Sequence, residues 1–286
     1  MPLTETEKRR YERHLNLAEL GDAGQLRLKD SRVLVVGAGG LGCPVLSYLA
    51  AAGVGMIGVI DGDAIELSNL QRQVLYTEAM IGQNKAECAA KRIHALNSSI
   101  TVRAYPHKLD ALNALKLIHD YDVVVDGSDN FATRYLVNDA CVLAERPLVA
   151  ASIHAYEGQL SVFNAYITDT AQEPGPSYRC LYEHPPSPEI APTCGEAGVL
   201  GVLTGIVGSM QANEVIKLVT GVGESLSGKL LVFDCRTLNF RYLVLRRNSA
   251  RVEQVLKHGL LSDAEYSELG ACNSIPESRS EISVQD

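Results

Sequence analysis

Short apolar runs alternate with longer amphipathic stretches over the first 152 residues, which predicts strands that alternate with helices. Two short helices are expected before Lys29. The predicted strands are 32–37, 55–60, 100–105, 122–126 and 147–152, and the predicted helices between them are 41–52, 84–96, 110–119 and 131–145. This order is typical of a doubly wound, Rossmann-like α/β fold with a mainly parallel sheet and helices on both faces.

The pattern changes after Gly158. Strands are predicted at 159–163, 229–234 and 240–246, a helix at 199–220, and a loop at 169–194. Six of the eleven prolines lie between Pro174 and Pro192, which disfavours a helix there. Loops of this length usually act as a lid or a binding arm. We therefore expect antiparallel strands to continue the sheet beyond a long crossover loop.

These patterns divide the chain into four parts. Residues 1–30 form an N-terminal helical arm and 31–158 a nucleotide-binding half. Residues 159–247, with the crossover loop at 169–195, form a platform for whatever the nucleotide activates. The extension 248–286 ends in the polar segment NSIPESRSEISVQD, which is predicted to be disordered.

A glycine-rich turn follows the first predicted strand, in the sequence GAGGLG at 37–42. Glycines there allow a tight turn and let backbone N–H groups approach a phosphate at a helix N-terminus. Asp61 closes the next strand, nineteen residues after Gly42, where a carboxylate can accept hydrogen bonds from a ribose diol. This pattern fits NAD, FAD or ATP, and the alternative is a glycine turn that binds no ligand.

The segment from Asp61 to Lys85 favours a triphosphate, because it adds an Asn-Leu-Gln-Arg-Gln cluster and a lysine beyond the second strand. Arg72 and Lys85 supply the positive charge that stabilises a departing pyrophosphate. Asp129, in the turn DGSDN after the strand 122–126, can hold Mg²⁺. The alternatives are that the two cations are ordinary surface charges and that DGSDN caps a helix.

Composition narrows the class of protein. A net charge of −8 argues against a general nucleic-acid surface, although a small basic patch for RNA stays open. The first thirty residues are charged throughout and do not resemble a signal peptide. No segment suits a membrane span, because the best candidate, 199–219, contains charged residues. We expect a cytoplasmic enzyme whose seven scattered cysteines form no disulfide framework.

Several of these motifs, in this order, resemble the MoeB/ThiF/HesA family, the bacterial relatives of ubiquitin-activating enzymes. They are GAGGLG, VIDGD, SNLQRQ, GQNKAE, DGSDN, CGEAGVLG and GIVGSMQANEVIKL, and they cover roughly 10–247. The resemblance implies that Mg·ATP adenylates the C-terminal glycine of a small ubiquitin-like sulfur carrier ending in Gly-Gly. The half 159–247 would then bind the carrier.

The resemblance also implies roles for individual residues. Gly40 would meet phosphate through its backbone, Asp61 would bind ribose, and Asp129 would hold Mg²⁺. Phosphates would be held by Asn69, Arg72 and Lys85. Arg13, in RYERHLNL, resembles an arginine that reaches the ATP site of a second subunit, so a homodimer is expected. The other residues expected around the nucleotide are Gly37, Gly39, Gly42, Ser68, Leu70, Gln71 and Asn130.

Cys194 aligns with the family cysteine that can take the acyl group as a thioester or persulfide. The alternative is that Cys194 is a bystander and the adenylate passes directly to a sulfur donor. Many relatives bind structural zinc through two cysteine pairs, whereas this chain reads SYRC at 177–180 and RRNSARVEQV at 246–255, so three of the four ligands are missing. We expect no zinc. No rhodanese-like sequence follows, so a separate sulfurtransferase is expected as the sulfur source.

Three other functions stay open on sequence alone. An NAD-dependent oxidoreductase would use the same glycines and Asp61 but would leave Arg72, Lys85 and Asp129 without a shared purpose. A second alternative is adenylation of a tRNA base or a peptide. The third is a binding module that has lost its catalytic function.

Overall fold

The computed structural model describes residues 2–166, 174–184 and 198–271. The helices are α1 Glu5–Arg10, α2 Glu12–Leu15, α3 Gly21–Asp30, α4 Gly42–Ala52, α5 Lys85–Leu96, α6 Ala114–His119, α7 Phe131–Ala144, α8 Tyr178–Leu181, α9 Gly201–Thr220, α10 Ser249–His258 and α11 Asp263–Ala271. The strands are β1 Arg32–Val36, β2 Met56–Ile60, β3 Thr101–Tyr105, β4 Val123–Asp126, β5 Leu148–His154, β6 Glu157–Phe163, β7 Lys229–Asp234 and β8 Asn239–Val244.

All eight strands form one sheet in the order β3-β2-β1-β4-β5-β6-β7-β8. The neighbours from β3 to β5 are parallel, and those from β5 to β8 are antiparallel. This confirms the predicted fold class. The chain leaves β1 for β2 on one side and later returns to β4 on the other, so the direction of winding reverses between β1 and β4. Doubly wound sheets bind ligands at this reversal.

Helices cover both faces of the sheet and create two hydrophobic layers. One layer contains apolar side chains of α3, α4, α5 and α9. The other contains side chains of α6, α7, α8 and α11. The central strand β1, with the sequence RVLVV, is buried along four of its five residues, as expected for a parallel strand covered on both faces.

Before residue 248, the structure differs from the predicted elements in three main places. Three helices, not two, precede β1, because the chain leaves the helical path at Tyr11. The helix predicted at 110–119 begins only at Ala114, as α6. Residues 110–113 form a turn instead, in which Asp110 Oδ1 accepts the backbone N–H groups of Leu112 and Asn113. The short helix α8 lies inside the predicted loop 169–194, of which only 174–184 is described.

The extension after residue 247 forms α10 and α11, which pack against α7. The part after Cys272 that was predicted to be disordered lies outside the described residues. In the described part of the chain, no helix combines the length and apolarity that a bilayer span requires.

Candidate active site

A cavity of about 570 Å³ lies at the carboxyl ends of β1, β2 and β4, where the winding of the sheet reverses. Eight of the residues expected around the nucleotide line it. They are Gly37, Gly39, Gly40, Asp61, Arg72, Lys85, Asp129 and Asn130. The sheet topology therefore brings residues from five separate motifs to one cavity.

The glycine turn is compact because its backbone atoms lie too close for side chains. Gly37 has a φ of +88°, in the left-handed region. A Cβ on Gly42 would lie 2.1 Å from the carbonyl oxygen of Gly37, and a Cβ on Gly40 would lie 2.9 Å from Thr204 Cγ2. Gly42 thus shapes the turn from behind without lining the cavity, and Gly40 leaves its backbone open to a ligand.

Replacing Gly42 with alanine is expected to lower the free energy of unfolding by ~1–3 kcal/mol, as overpacking does, because the new Cβ meets rigid backbone. Urea denaturation measures this change, and ATP affinity should fall with it as the turn shifts. The control is Gly205→Ala in α9, where a Cβ meets nothing within 4 Å. Equal stability of Gly42→Ala and the unmodified protein would contradict the tight turn.

Asp61 links the end of β2 to the glycine turn. Its Oδ2 accepts the N–H of Ala38 at 2.8 Å, and its Oδ1 accepts the N–H of Asp63 at 2.8 Å. Burial raises the pKa of Asp61 above its ordinary value, although these two N–H donors oppose the shift. Each carboxylate oxygen retains a further lone pair, so the group can still accept hydrogen bonds from a ligand hydroxyl.

The two predicted cationic side chains, Arg72 and Lys85, line the cavity together with Lys108 and Arg134. Lys85 opens α5, and its buried Nζ lies 3.2 Å from Asp63 Oδ2, which is itself largely exposed. The half-buried Arg72 donates to the carbonyl oxygen of Ser68 at 3.1 Å and forms no ion pair with a carboxylate of the described residues. An anion in the cavity would therefore meet positive charge that is only partly neutralised.

The rest of the predicted 68–71 segment lies outside the cavity lining. Asn69 is buried in the 3₁₀ turn Leu67–Asn69, where its Oδ1 accepts the N–H of Glu66 at 3.3 Å. The carbonyl of Asn69 accepts the N–H groups of Arg72 and Gln73. Leu70 packs against the core. Within one chain, Asn69 and Leu70 therefore hold the backbone that carries Arg72, and Ser68 contributes the carbonyl that Arg72 contacts.

The turn after β4 combines a helix cap with cavity-lining groups. Asp126 is buried, burial raises its pKa, and its Oδ1 accepts the N–H of Ser128 at 2.8 Å. Asn130 caps α7 by accepting the N–H of Thr133 at 2.9 Å, so the capping interpretation is correct for Asn130. Asp129 is exposed to the cavity, and its carboxylate is free of that capping role.

Two cavity-lining residues that the sequence analysis missed carry buried oxygens without a hydrogen-bond partner among the described residues. These atoms are Oε1 of Gln73, a residue only 4% exposed, and Oγ of Ser128. A buried polar atom left unpaired costs ~1–3 kcal/mol, so both atoms suit a polar ligand in the cavity. Each lies within a quoted motif, SNLQRQ or DGSDN, but only the fold shows that it lines the cavity.

The remaining predicted residues lie elsewhere. Arg13 is exposed on α2 and does not line the cavity of its own chain. Gln71 packs beside Gly201 at the start of α9. Cys194 lies outside the described residues. Across the described ranges, no three His, Cys, Asp or Glu side chains cluster as metal ligands.

Comparison with known proteins finds close relatives in sequence. The chain is 51% identical over 248 residues to the sulfur carrier protein adenylyltransferase of Thermus thermophilus. The alignment covers 87% of this chain and 91% of that protein. It is 50% identical over 246 residues to the probable adenylyltransferase/sulfurtransferase MoeZ of Mycobacterium tuberculosis, covering 86% of this chain and 62% of MoeZ. It also matches the adenylyltransferase and sulfurtransferase MOCS3 of Culex quinquefasciatus at 50% identity, with 87% of this chain and 55% of MOCS3 covered. The chain thus spans less than two thirds of the MoeZ and MOCS3 lengths.

Solved structures share the fold. The E. coli protein MccB, determined with ATP, superimposes with a TM-score of 0.69 at 25% identity, over 86% of this chain and 73% of MccB. PaaA superimposes with a TM-score of 0.67 at 23% identity, over 85% of this chain and 75% of PaaA. The sequence profile of the ThiF family matches residues 11–253. Because this profile matches most of the chain and relatives share about half of its residues, the chain belongs to the ThiF family.

Proposed function

We propose that this protein adenylates the C-terminal carboxylate of a small sulfur-carrier protein with ATP and releases pyrophosphate. The observation that carries the proposal is the convergence of the glycine turn, Asp61, Arg72 and Lys85 on one cavity. The name of the Thermus thermophilus relative, which aligns over nine tenths of its length, supports the carrier as the substrate.

The reaction needs little covalent help from the protein. A C-terminal carboxylate is already ionised at neutral pH, so its oxygen can attack the α-phosphorus of ATP without a general base. The new bond joins this oxygen to the α-phosphorus, and the bond from the α-phosphorus to the bridging oxygen breaks. Pyrophosphate leaves with the electron pair, so the protein contributes positioning and charge stabilisation.

Each lining residue has a task in this scheme. The N–H groups near Gly39 and Gly40 would contact phosphate, and Asp61 would accept from the ribose diol. Arg72 and Lys85 would stabilise the charge that develops on pyrophosphate. Asp129 would hold Mg²⁺, which commonly binds through one or two carboxylates and the substrate phosphates and neutralises phosphate charge. The unpaired oxygens of Gln73 and Ser128 support a polar ligand beside them.

The antiparallel half offers a surface for the carrier. Strand β8 ends the sheet, and all six of its residues are exposed. Phe240, Tyr242 and Val244 alternate along this strand, with Val244 79% exposed. An exposed apolar edge suits a partner that covers it. We place the body of the carrier on this face.

The subunit arrangement and the metal content complete the proposal. We propose a homodimer in which Arg13, exposed on α2, reaches the cavity of the partner. We also propose that the chain holds no structural zinc. In support, Cys180 Sγ accepts the N–H groups of Asn248 at 3.3 Å and Ser177 at 3.4 Å, so hydrogen bonds join the two segments. Metal analysis of purified protein should find far less than one zinc per chain, and one tightly held zinc per chain would contradict this.

Exchange of labelled pyrophosphate into ATP tests the reaction. We expect exchange with a carrier that ends in Gly-Gly and none with the same carrier lacking its last two glycines. The carrier captured with ATP should gain the mass of AMP at its terminal glycine. Exchange that instead requires tRNA or a short peptide, or binding of NAD without ATP, would overturn the proposal.

A further inference from the structure

The helix α11 lines the same cavity although it lies beyond the residues matched by the family profile, which end at 253. Three residues of α11 contribute to the lining, namely Asp263, Tyr266 and Ser267. The region matched by the family profile therefore supplies most of the cavity lining, and the C-terminal extension supplies an additional wall.

This wall is fixed to the body of the protein. Tyr266 is 2% exposed, and its hydroxyl donates to Asp139 Oδ2 at 3.0 Å. At the start of α11, Asp263 Oδ1 accepts the N–H of Ala111 at 2.8 Å. The helix also packs along α7. These contacts hold α11 in one position against the cavity.

The position of α11 indicates which part of a nucleotide it would meet. Arg72 and Thr204 line the cavity on the side of the sheet covered by α4, α5 and α9. Leu109, Leu136 and Tyr266 line it on the opposite side, in the hydrophobic layer with α6 and α7. Cations lie on both sides, since Lys108 and Arg134 also line the cavity, but only the first side adds the backbone N–H groups of the glycine turn at the start of α4, so the phosphates suit that side. A nucleobase has flat apolar faces and a polar edge, so its faces suit the side lined by the two leucines and Tyr266.

We propose that α11 forms the wall of the base end of the nucleotide cavity and contributes to ATP affinity through Tyr266 and Ser267. The inference rests on the proposed function, because the base end is defined relative to phosphates bound at Arg72 and Lys85. On this assignment α11 contacts no reacting atom. Its residues position the nucleotide, so their loss should affect binding and not the adenylation step itself.

The test uses Ser267→Trp, because Ser267 is exposed on α11 and tolerates a large side chain that projects into the cavity. The matched control is Glu268→Trp, which adds the same side chain to an exposed neighbour that does not line the cavity. The Kd of ATP for the full chain is measured by titration, and thermal denaturation confirms that both variants fold.

We expect Ser267→Trp to weaken ATP binding by about tenfold or more and to raise the KM for ATP in pyrophosphate exchange. The kcat of Ser267→Trp should stay within about twofold of that of the unmodified protein. The ATP affinity of Glu268→Trp should also stay within about twofold of the unmodified value. ATP binding by Ser267→Trp that equals the unmodified protein overturns the inference, as does equal weakening in both variants. Failure of the unmodified protein to bind ATP overturns the proposed function instead, so the two failures are distinguishable.

Discussion

Replacing Arg72 with alanine is expected to slow carrier-dependent pyrophosphate exchange by about 10²–10³-fold, the range found when one donor that stabilises transition-state charge is removed. Arg72 lines the cavity and donates to the carbonyl oxygen of Ser68 at 3.1 Å. Among the described residues this is the one hydrogen bond of its side chain, so it orients the guanidinium and leaves the other N–H donors for a ligand. The exchange rate at saturating ATP and carrier measures the loss.

Two variants separate this effect from a general loss of charge. Arg72→Lys keeps the charge but not the planar donor geometry, so it should recover only part of the rate. Arg92→Ala removes an exposed arginine of α5 that lies outside the cavity lining and should leave the rate unchanged. An Arg72→Ala protein that retains the full exchange rate would remove Arg72 from the proposed site.

Replacing Arg179 with alanine is expected to lower the free energy of unfolding by ~3–5 kcal/mol, because it leaves a buried carboxylate without its cation. Arg179 donates to Asp139 from Nε at 2.8 Å and from a terminal nitrogen at 2.6 Å. The Asp139 side chain is only 2% exposed. The Arg179 guanidinium also lies 4.9 Å from the centre of the Tyr135 ring. Urea denaturation measures the change.

The matched control is Arg32→Ala, which breaks a similar bidentate pair with Asp122 at the protein surface. Both of those side chains are more than 40% exposed, so the expected loss is ~0–1 kcal/mol. If the two substitutions lower the free energy of unfolding by the same amount, burial does not determine how much the Arg179–Asp139 pair contributes to stability.

Periodicity alone was enough to predict the parallel half of the fold. Strands such as β1 and β4 are continuous apolar runs, and the helices between them have clear amphipathic spacing. The helix α8 was missed because it is a single turn between prolines, stabilised by the contacts of Ser177 and Cys180. Helix α10 has a cap at Asn248 and an apolar pair at Val252 and Val255, and these signals could have predicted it.

The candidate site was predictable where a residue's role follows from its place at a strand end. Asp61 and Asp129 follow β2 and β4, and parallel strands bring their carboxyl ends to one edge of the sheet. Membership of a motif was less informative, since Asn69 and Arg72 stand three residues apart but only Arg72 lines the cavity. Tyr266 lines the cavity only because of the tertiary packing of α11, which no local sequence pattern encodes.

The carboxylate of Asp139 connects two parts of the protein that are distant in sequence. It binds Arg179, in α8 within the crossover loop, and Tyr266, in the wall of the cavity. If ATP binding favours the contact of Tyr266 with Asp139, and this contact orients Asp139 for Arg179, then ATP opposes the release of Arg179. Because linkage is reciprocal, release of Arg179 would lower the affinity for ATP by the same factor. The nucleotide and the short helix α8, which carries Arg179, can thus influence each other's equilibria through one buried side chain.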